Sequence, residues 1–162
     1  MTRSRVVVVA ILAAASLGGW WLGRATHGPS PAVVVGVVDG DTIEVRGPDG
    51  RVEVVRLLGI DTPETHHPTK PVQCFGPEAA AYTESRLLGR RVTLADDVER
   101  HDVYGRRLAY VLLDGERFND ELLRLGYARL LVIPPNGAHA RTMLAEELAA
   151  ERAGRGLWGA CE

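Results

Sequence analysis

The sequence is poor in cysteine, in aromatic residues and in net charge. Its 162 residues include 2 cysteines and 6% aromatic residues, and the formal net charge is −2. Two cysteines without a Cys-x-x-Cys pair exclude a disulfide-rich scaffold and a zinc ribbon. A charge so close to zero argues against a protein that coats nucleic acid with a basic surface. With 46% hydrophobic and 25% charged residues, the composition is typical of one globular domain of ordinary size.

The long stretch without charge lies at the N-terminus. Residues Val6–Leu22 are 17 apolar or small residues, preceded by Arg3 and Arg5 and followed by Arg24. This pattern fits a membrane-spanning helix at the short limit of length. It also fits a secretory signal peptide, in which Ala13–Ala15 would provide the cleavage site. A buried core helix is the third alternative, and the flanking positive charges disfavour it.

A tryptophan pair at the end of this run favours an uncleaved membrane anchor. Trp20–Trp21 followed by an arginine is typical of a membrane interface. We therefore expect residues 1–26 to be an anchor or a signal peptide, 27–32 a linker, and 33–162 a domain outside the cytoplasm. Three of the 19 basic residues and none of the 21 acidic ones lie in 1–26, so the rest of the chain has a net charge of −5.

Strand signals come first in the predicted domain and helix signals later. β-Branched runs and alternating patterns separated by Asp-Gly turns predict five strands, at 33–38, 42–46, 52–58, 91–95 and 107–113. The strand at 33–38 is apolar throughout and is predicted to be buried. Five short strands with late helices predict an α+β protein, built as a small closed β-barrel with packed helices and preceded by the N-terminal hydrophobic helix.

Three helices are predicted from their end signals. Pro77 is suited to the first turn of a helix at 77–88. Asn119 is a possible N-cap for a short helix at 120–125. A third helix, at 139–152, places Ala140, Leu144 and Leu148 on one apolar face.

The first candidate functional stretch is a tight turn with two carboxylates. Asp39 and Asp41 flank Gly40 between the first two predicted strands. Hard cations such as calcium bind several oxygen ligands, and clustered aspartates on a turn supply them. The alternative is an ordinary hairpin turn, in which Asp-Gly is common.

The second stretch combines an arginine inside a strand with two carboxylates after it. Arg56 has apolar neighbours on both sides in the chain, so it needs an anionic partner, either a structural carboxylate or a bound phosphate. Asp61 and Glu64 follow at the strand end, on a turn that Pro63 stiffens. The alternative is a purely structural salt-bridged turn.

The third stretch is a bend before the last predicted strand. Gly105 allows the backbone to turn, and Arg106 would then project at the start of the strand. The alternative is a solvated charge at a strand edge.

Two cysteines and a pair of histidines lie outside these three stretches. Cys74 and Cys161 are predicted to form a disulfide, because an exported domain folds in an oxidising compartment. Two free thiols are the alternative. His66 and His67 are adjacent and point in different directions, so they make a poor metal chelate.

In combination, the three stretches are specific. The motifs D-G-D-T, R-L-L-x-x-D-T-P-E-T and D-x-Y-G-R occur here in the order and spacing of the staphylococcal nuclease family, which this chain resembles. His67-Pro68 and Gly76-Pro77-Glu78-Ala79 also match, and the resemblance runs from Val33 to Trp158. It implies a calcium-dependent phosphodiesterase on a five-stranded OB-type barrel, with DNA or RNA as substrate.

The resemblance also implies which residues bind the metal. Asp41 and Asp61 would be carboxylate ligands of one Ca²⁺, and the Thr62 carbonyl a further ligand. Asp39 would orient these ligands from outside the coordination sphere.

A second group of residues would act on the substrate. Glu64 would activate the attacking water, while Arg56 and Arg106 would hold the scissile phosphate. Tyr104 would contact the substrate. Such a site supplies fixed cations where the phosphate accumulates negative charge in the transition state.

The chain departs from the family pattern on the substrate side. Val103 replaces a lysine, and Leu131–Pro134 stand where the family has paired tyrosines. Together with the acidic domain, these changes predict weak attraction for nucleic acid. A non-catalytic OB-fold binding module is the alternative function, and a monomer is expected in either case.

Overall fold

The computed structural model describes residues 28–65 and 71–161. The predicted anchor or signal peptide lies outside these residues, as do His66 and His67. No helix within 28–65 and 71–161 has the length and apolar character needed to cross a bilayer.

Eight strands and four helices make up the described part of the chain. The strands are β1 (Ser30–Asp39), β2 (Thr42–Arg46), β3 (Val52–Leu57), β4 (Ile60–Asp61), β5 (Arg91–Ala95), β6 (Arg107–Leu113), β7 (Glu116–Arg117) and β8 (Arg129–Leu130). The helices are α1 (Gly76–Leu87), α2 (Phe118–Leu125), α3 (Ala140–Arg152) and α4 (Leu157–Ala160).

Five of the strands close into a barrel, which confirms this part of the predicted architecture. The sheet order is β3-β2-β1-β5-β6-β7. A parallel pairing of β3 with β6, in which Val55 lies opposite Arg107, joins the two sides and leaves β7 as an extension of β6. The short strands β4 and β8 form a separate antiparallel pair beside the barrel. This α+β arrangement is consistent with an OB-type barrel.

β1 differs from its prediction as a buried strand. Ala32 and Val34 face the interior, whereas Val38 is 48% exposed. Successive side chains of a barrel strand point to opposite faces, so an apolar run cannot be buried along its whole length. β1 also begins at Ser30, because Ser30–Val33 pair with β5, so the strand starts inside the predicted linker.

The core fills the barrel and continues under α2 and α3. Its largest fully buried side chains are Phe118, Ile43, Leu57, Ile60, Leu87, Leu94, Leu122, Leu123, Met143 and Leu157. On α3 the predicted apolar face is wrong. Met143 and Ala150 are buried, whereas Leu144 and Leu148 are 41% and 39% exposed. Met143 packs so close to Gly59 that a Cβ there would lie 2.8 Å from its sulfur.

Asn119 is not the predicted helix cap, because its side chain is buried and bonds to the backbone of two other segments. α2 begins two residues earlier than predicted, at Phe118, and Asn119 is fully buried. Its side-chain oxygen accepts a hydrogen bond from the Val111 N–H at 2.9 Å, and its amide donates to the Leu58 carbonyl at 2.8 Å. The side chain therefore ties β6 to the chain just after β3.

A disulfide joins Cys74 and Cys161, as predicted. It links the segment before α1 to the chain after α4, across a sequence separation of 87. The described residues contain no free cysteine.

Candidate active site

Asp41 connects the β1–β2 turn to the chain after β4. Its carboxylate accepts hydrogen bonds from the Thr62 N–H at 2.8 Å and from the Thr42 hydroxyl at 3.0 Å. The turn approaches Thr62 so closely that a Cβ on Gly40 would lie 2.9 Å from the Thr62 hydroxyl oxygen. Glycine at this position therefore allows the two segments to meet.

Arg56 lies between Asp41 and Asp61. One guanidinium nitrogen is 3.1 Å from the Asp41 carboxylate, and the other is 2.9 Å from that of Asp61. The first nitrogen also donates to the Ile60 carbonyl at 2.9 Å. The chain itself thus supplies two anionic partners, the carboxylates of Asp41 and Asp61, and they fix the position of this largely buried arginine.

Asp39 holds the turn that carries Glu64. Its carboxylate accepts hydrogen bonds from the Gly40 N–H at 2.8 Å and from the Thr65 hydroxyl at 3.1 Å. On the other side of the turn, the Glu64 N–H donates to the Gln73 side chain at 3.0 Å, and the Glu64 carbonyl accepts from the Gln73 N–H at 2.9 Å. The Glu64 backbone is therefore fixed from two directions.

The start of α1 packs directly against this turn. A Cβ on Gly76 would lie 2.9 Å from the Glu64 carbonyl oxygen and 3.0 Å from that of Pro63. Only glycine lets the helix come this close, so the Gly-Pro pair that opens α1 also locates Glu64.

The carboxylates crowd one another. Burial raises the pKa of Glu64, and the negative charges of Asp39, Asp41 and Asp61 raise it further. Burial likewise raises the pKa of Asp41, although Arg56 and the Thr62 N–H oppose that effect. Four carboxylates thus lie close enough to repel one another, whereas only two of them, Asp41 and Asp61, pair with Arg56. This part of the surface therefore has an excess of negative charge.

The chemistry of these donors suits a hard divalent cation. All are oxygens, and the Thr62 hydroxyl oxygen is buried without a hydrogen-bond partner among the described residues. Within residues 28–65 and 71–161, no three His, Cys, Asp or Glu side chains converge as a metal site on their own. The predicted set has only two carboxylates, Asp41 and Asp61, and takes its third ligand from a backbone carbonyl.

A cavity of about 410 Å³ opens next to this cluster. Arg56 and Arg106 both line it, so the structure brings together the two arginines that the sequence placed 50 positions apart. Leu58, Leu108 and Ile133 supply apolar walls. The cavity therefore combines two cationic groups with a surface that can take an apolar ring.

Asp102 directs Arg106, a role that sequence reasoning missed. Its carboxylate accepts hydrogen bonds from the Arg106 N–H at 2.9 Å and from the guanidinium at 2.7 Å. Burial alone would raise the pKa of Asp102, but these bonds and one from the Tyr104 N–H lower it, so it stays anionic. The sequence signal for this role was an aspartate four residues before an arginine, with the glycine bend between them.

Tyr104 lies at the mouth of the cavity. It is 81% exposed, and the Arg106 guanidinium sits 5.5 Å from its ring centroid. Val103 beside it is 92% exposed. An aromatic face is therefore available to solvent beside the two arginines.

The loop at 131–138 lines the other side of the cavity. Two residues that the sequence did not single out attach it to the barrel by hydrogen bonds. Asn136 exchanges two hydrogen bonds with the Glu99 backbone, at 2.7 and 2.9 Å. Asp97 accepts hydrogen bonds from the backbone N–H groups of Gly137 and Ala138, both at 3.0 Å. The Pro-Asn-Gly sequence indicated a turn there, but not its attachment.

Known proteins share this sequence over most of its length. The family described as staphylococcal nuclease homologue matches residues 54–160. The thermonuclease of Staphylococcus intermedius is 43% identical over 122 residues, which is 75% of this chain and 72% of that protein. The thermonuclease of Staphylococcus hyicus is 39% identical over 125 residues, covering 77% and 73%. The SPbeta prophage-derived endonuclease YokF of Bacillus subtilis (strain 168) is 38% identical over 123 residues, covering 75% and 41%.

Proposed function

Because the chain belongs to the staphylococcal nuclease family, we propose that it is a nuclease that hydrolyses phosphodiester bonds of DNA, RNA or both with the help of one calcium ion. One observation carries the proposal. Arg56 contacts both Asp41 and Asp61 and also lines the cavity that Arg106 lines. A phosphate bound there would lie between two guanidinium groups and a cluster of carboxylates.

The metal would be held by Asp41, Asp61 and the Thr62 carbonyl. The excess of carboxylates over cationic groups supports this, as does the all-oxygen donor set. When bound, calcium stabilises negative charge that develops on the phosphate.

Arg56 and Arg106 would hold and polarise the phosphate. Each presents a planar fork of donors, and each is oriented by a carboxylate before substrate arrives. Preorganised donors aimed at the developing charge are worth a few kcal/mol each in a site with little water. Asp41 and Asp61 orient Arg56, and Asp102 orients Arg106.

Glu64 would accept the proton of the attacking water. The water oxygen would form a bond to phosphorus as the bond from phosphorus to the 5′-oxygen breaks, and the leaving oxygen would take up a proton from a solvent water. The products are a 3′-phosphate and a 5′-hydroxyl. A positioned carboxylate in this role contributes roughly 10²–10⁴-fold to the rate. Tyr104 would contact the nucleotide beside Arg106.

We further propose that residues 33–162 act outside the cytoplasm, after an N-terminal segment that either anchors the chain in the membrane or is removed as a signal peptide. The disulfide between Cys74 and Cys161 supports this location, because such bonds persist in oxidising compartments. Membrane fractionation tests the two alternatives. An anchored protein stays with the membrane, and a mature form that starts near Ser16 in the medium would contradict the anchor.

The calcium step is tested with the full chain, purified in a mild detergent. Single-stranded DNA and RNA oligonucleotides are incubated with calcium or with a chelator, and cleavage and binding are followed separately. We expect cleavage with calcium and none with chelator. Cleavage that survives the chelator contradicts the metal, and binding without cleavage under any condition favours the binding module.

A further inference from the structure

Arg129 is an exposed arginine beside the carboxylate cluster. It lies in β8, directly opposite Asp61 of β4 in the antiparallel register. Residues in that relation have Cβ atoms about 5 Å apart and project from the same face. Asp61 also contacts Arg56, so Arg129 lies at the edge of the candidate active site.

Trp158 packs its indole ring against this arginine. The Arg129 guanidinium lies 4.2 Å from the centroid of the indole ring. The tryptophan is itself fixed, since the Leu157 N–H donates to the Gly126 carbonyl at 2.8 Å and the backbones of Gly126 and Gly156 leave no room for a Cβ on either. The cation–π contact therefore limits the orientations open to the arginine.

Arg129 has no carboxylate partner within the described ranges 28–65 and 71–161, unlike several surface arginines. Arg90 pairs with Asp114 at 3.0 Å, and Arg117 pairs with Asp120 at 2.6 Å. Arg129 is exposed, in a region where carboxylates are in excess. These carboxylates would repel a nucleic-acid strand that crosses the site. Arg129 supplies a positive charge at the same edge, which attracts the strand.

We propose that Arg129 binds a phosphate of the nucleic-acid strand next to the phosphate that is cleaved, and that Trp158 orients it for this contact. The inference rests on the proposed nuclease function and adds a residue to it. A guanidinium held by an aromatic ring binds phosphate through a planar fork without first having to be ordered. It follows that the enzyme distinguishes a strand with several phosphates from a single phosphodiester.

The test compares two substrates for the full-length protein and its variants. One is a single-stranded DNA of about 12 nucleotides, within the range that one OB-type barrel binds. The other is bis(p-nitrophenyl) phosphate, which has one phosphodiester. For Arg129→Gln we expect KM on the oligonucleotide to rise about fivefold and the salt dependence of kcat/KM to weaken by a slope of about 0.7. Both kinetic constants on the small substrate stay unchanged.

Two further variants separate the roles. Arg124→Gln removes another exposed arginine, from the end of α2, and should leave both substrates unchanged. Trp158→Leu should raise KM on the oligonucleotide with an unaltered salt slope, because the charge remains while its orientation is lost. Melting temperatures of all variants are compared, so that a loss of folding is recognised.

Equal losses on both substrates would overturn the inference, because Arg129 would then act through Asp61 on the chemistry. No loss on either would overturn it as well. Binding of a fluorescein-labelled oligonucleotide, measured by anisotropy with a chelator present, gives a readout that needs no cleavage. If the wild-type protein cleaves neither substrate, the proposed function fails, and the same fivefold change in Kd still decides whether Arg129 binds the strand.

Discussion

Replacing Asn119 by alanine should destabilise the barrel strongly, although the residue itself carries no charge. The side chain satisfies two buried backbone groups, the Val111 N–H and the Leu58 carbonyl. Alanine reaches neither, and water has no access because the site is fully buried. Each buried group left without a partner costs about 1–3 kcal/mol. We therefore expect the free energy of unfolding to fall by about 4 kcal/mol, out of a typical total of 5–15 kcal/mol.

The measurement is urea unfolding of the full chain, followed by far-UV circular dichroism. With an m-value of about 2 kcal/mol/M, the midpoint should move down by about 2 M. Asn136→Ala is the matched control, since it also removes two hydrogen bonds to backbone groups, but in a loop whose flanking residues are exposed, so that water can replace the lost partners. Its midpoint should move by less than half as much. If Asn119→Ala lowered the free energy of unfolding by less than about 1 kcal/mol, the two hydrogen bonds of Asn119 would not stabilise the barrel as argued.

Three further outcomes follow from single contacts. Replacing both disulfide cysteines by serine should lower the melting temperature, with a loss of up to about 4–5 kcal/mol in free energy; a reductant should do the same to the wild type, and unchanged melting would contradict the stabilising bridge. Arg86 holds the pKa of Glu121 below its usual value, so this pair stabilises the fold above the unfolded pKa of the carboxyl, near 4.5, and the stability is lost as the pH falls through the folded value. Unfolding at pH 6 and pH 3 should therefore show a smaller loss for Glu121→Gln than for wild type, and equal losses would contradict the pair. Asp102→Asn should lower kcat/KM about tenfold through Arg106 with little change in melting temperature, and unchanged kinetics would contradict that contact.

The barrel could be predicted because its signals are local. Asp-Gly turns and β-branched runs fix the first three strands, and the later strands show the same alternation. The barrel closes through the pairing of Val55 with Arg107, which are 52 positions apart in the chain. No local signal marks this pairing, and closure was predicted only because sets of short strands like these commonly form barrels. The family assignment from the three motifs is confirmed by the comparisons.

The errors arose where one local pattern serves two structures. Asn119 before a short helix has the pattern of an N-cap, yet its side chain points into the core and bonds to β6. The spacing of Leu144 and Leu148 predicts an apolar face, but Met143 faces Gly59 instead, because the backbone there leaves space for it. Neither choice is visible without the neighbouring elements.

The sequence motifs nominate residues for the candidate site, and those assignments stay predictions, but the motifs do not reveal the residues that support the site. Motif residues such as Arg56 and Arg106 mark chemistry by their type and order. Asp97 and the pair of Arg129 with Trp158 act on segments 29 to 41 positions away, through contacts that exist only once the barrel has closed. No periodicity connects such residues in the sequence.

The most direct test of the nuclease mechanism is the single-turnover rate of the Glu64→Gln variant with calcium and single-stranded DNA. Glu84→Gln, an exposed position on α1, is the matched control. We expect Glu64→Gln to lower the rate at least about 100-fold while the Kd for DNA stays within about twofold, and Glu84→Gln to change neither. A Glu64→Gln rate equal to that of the wild type would show that Glu64 does not activate the attacking water.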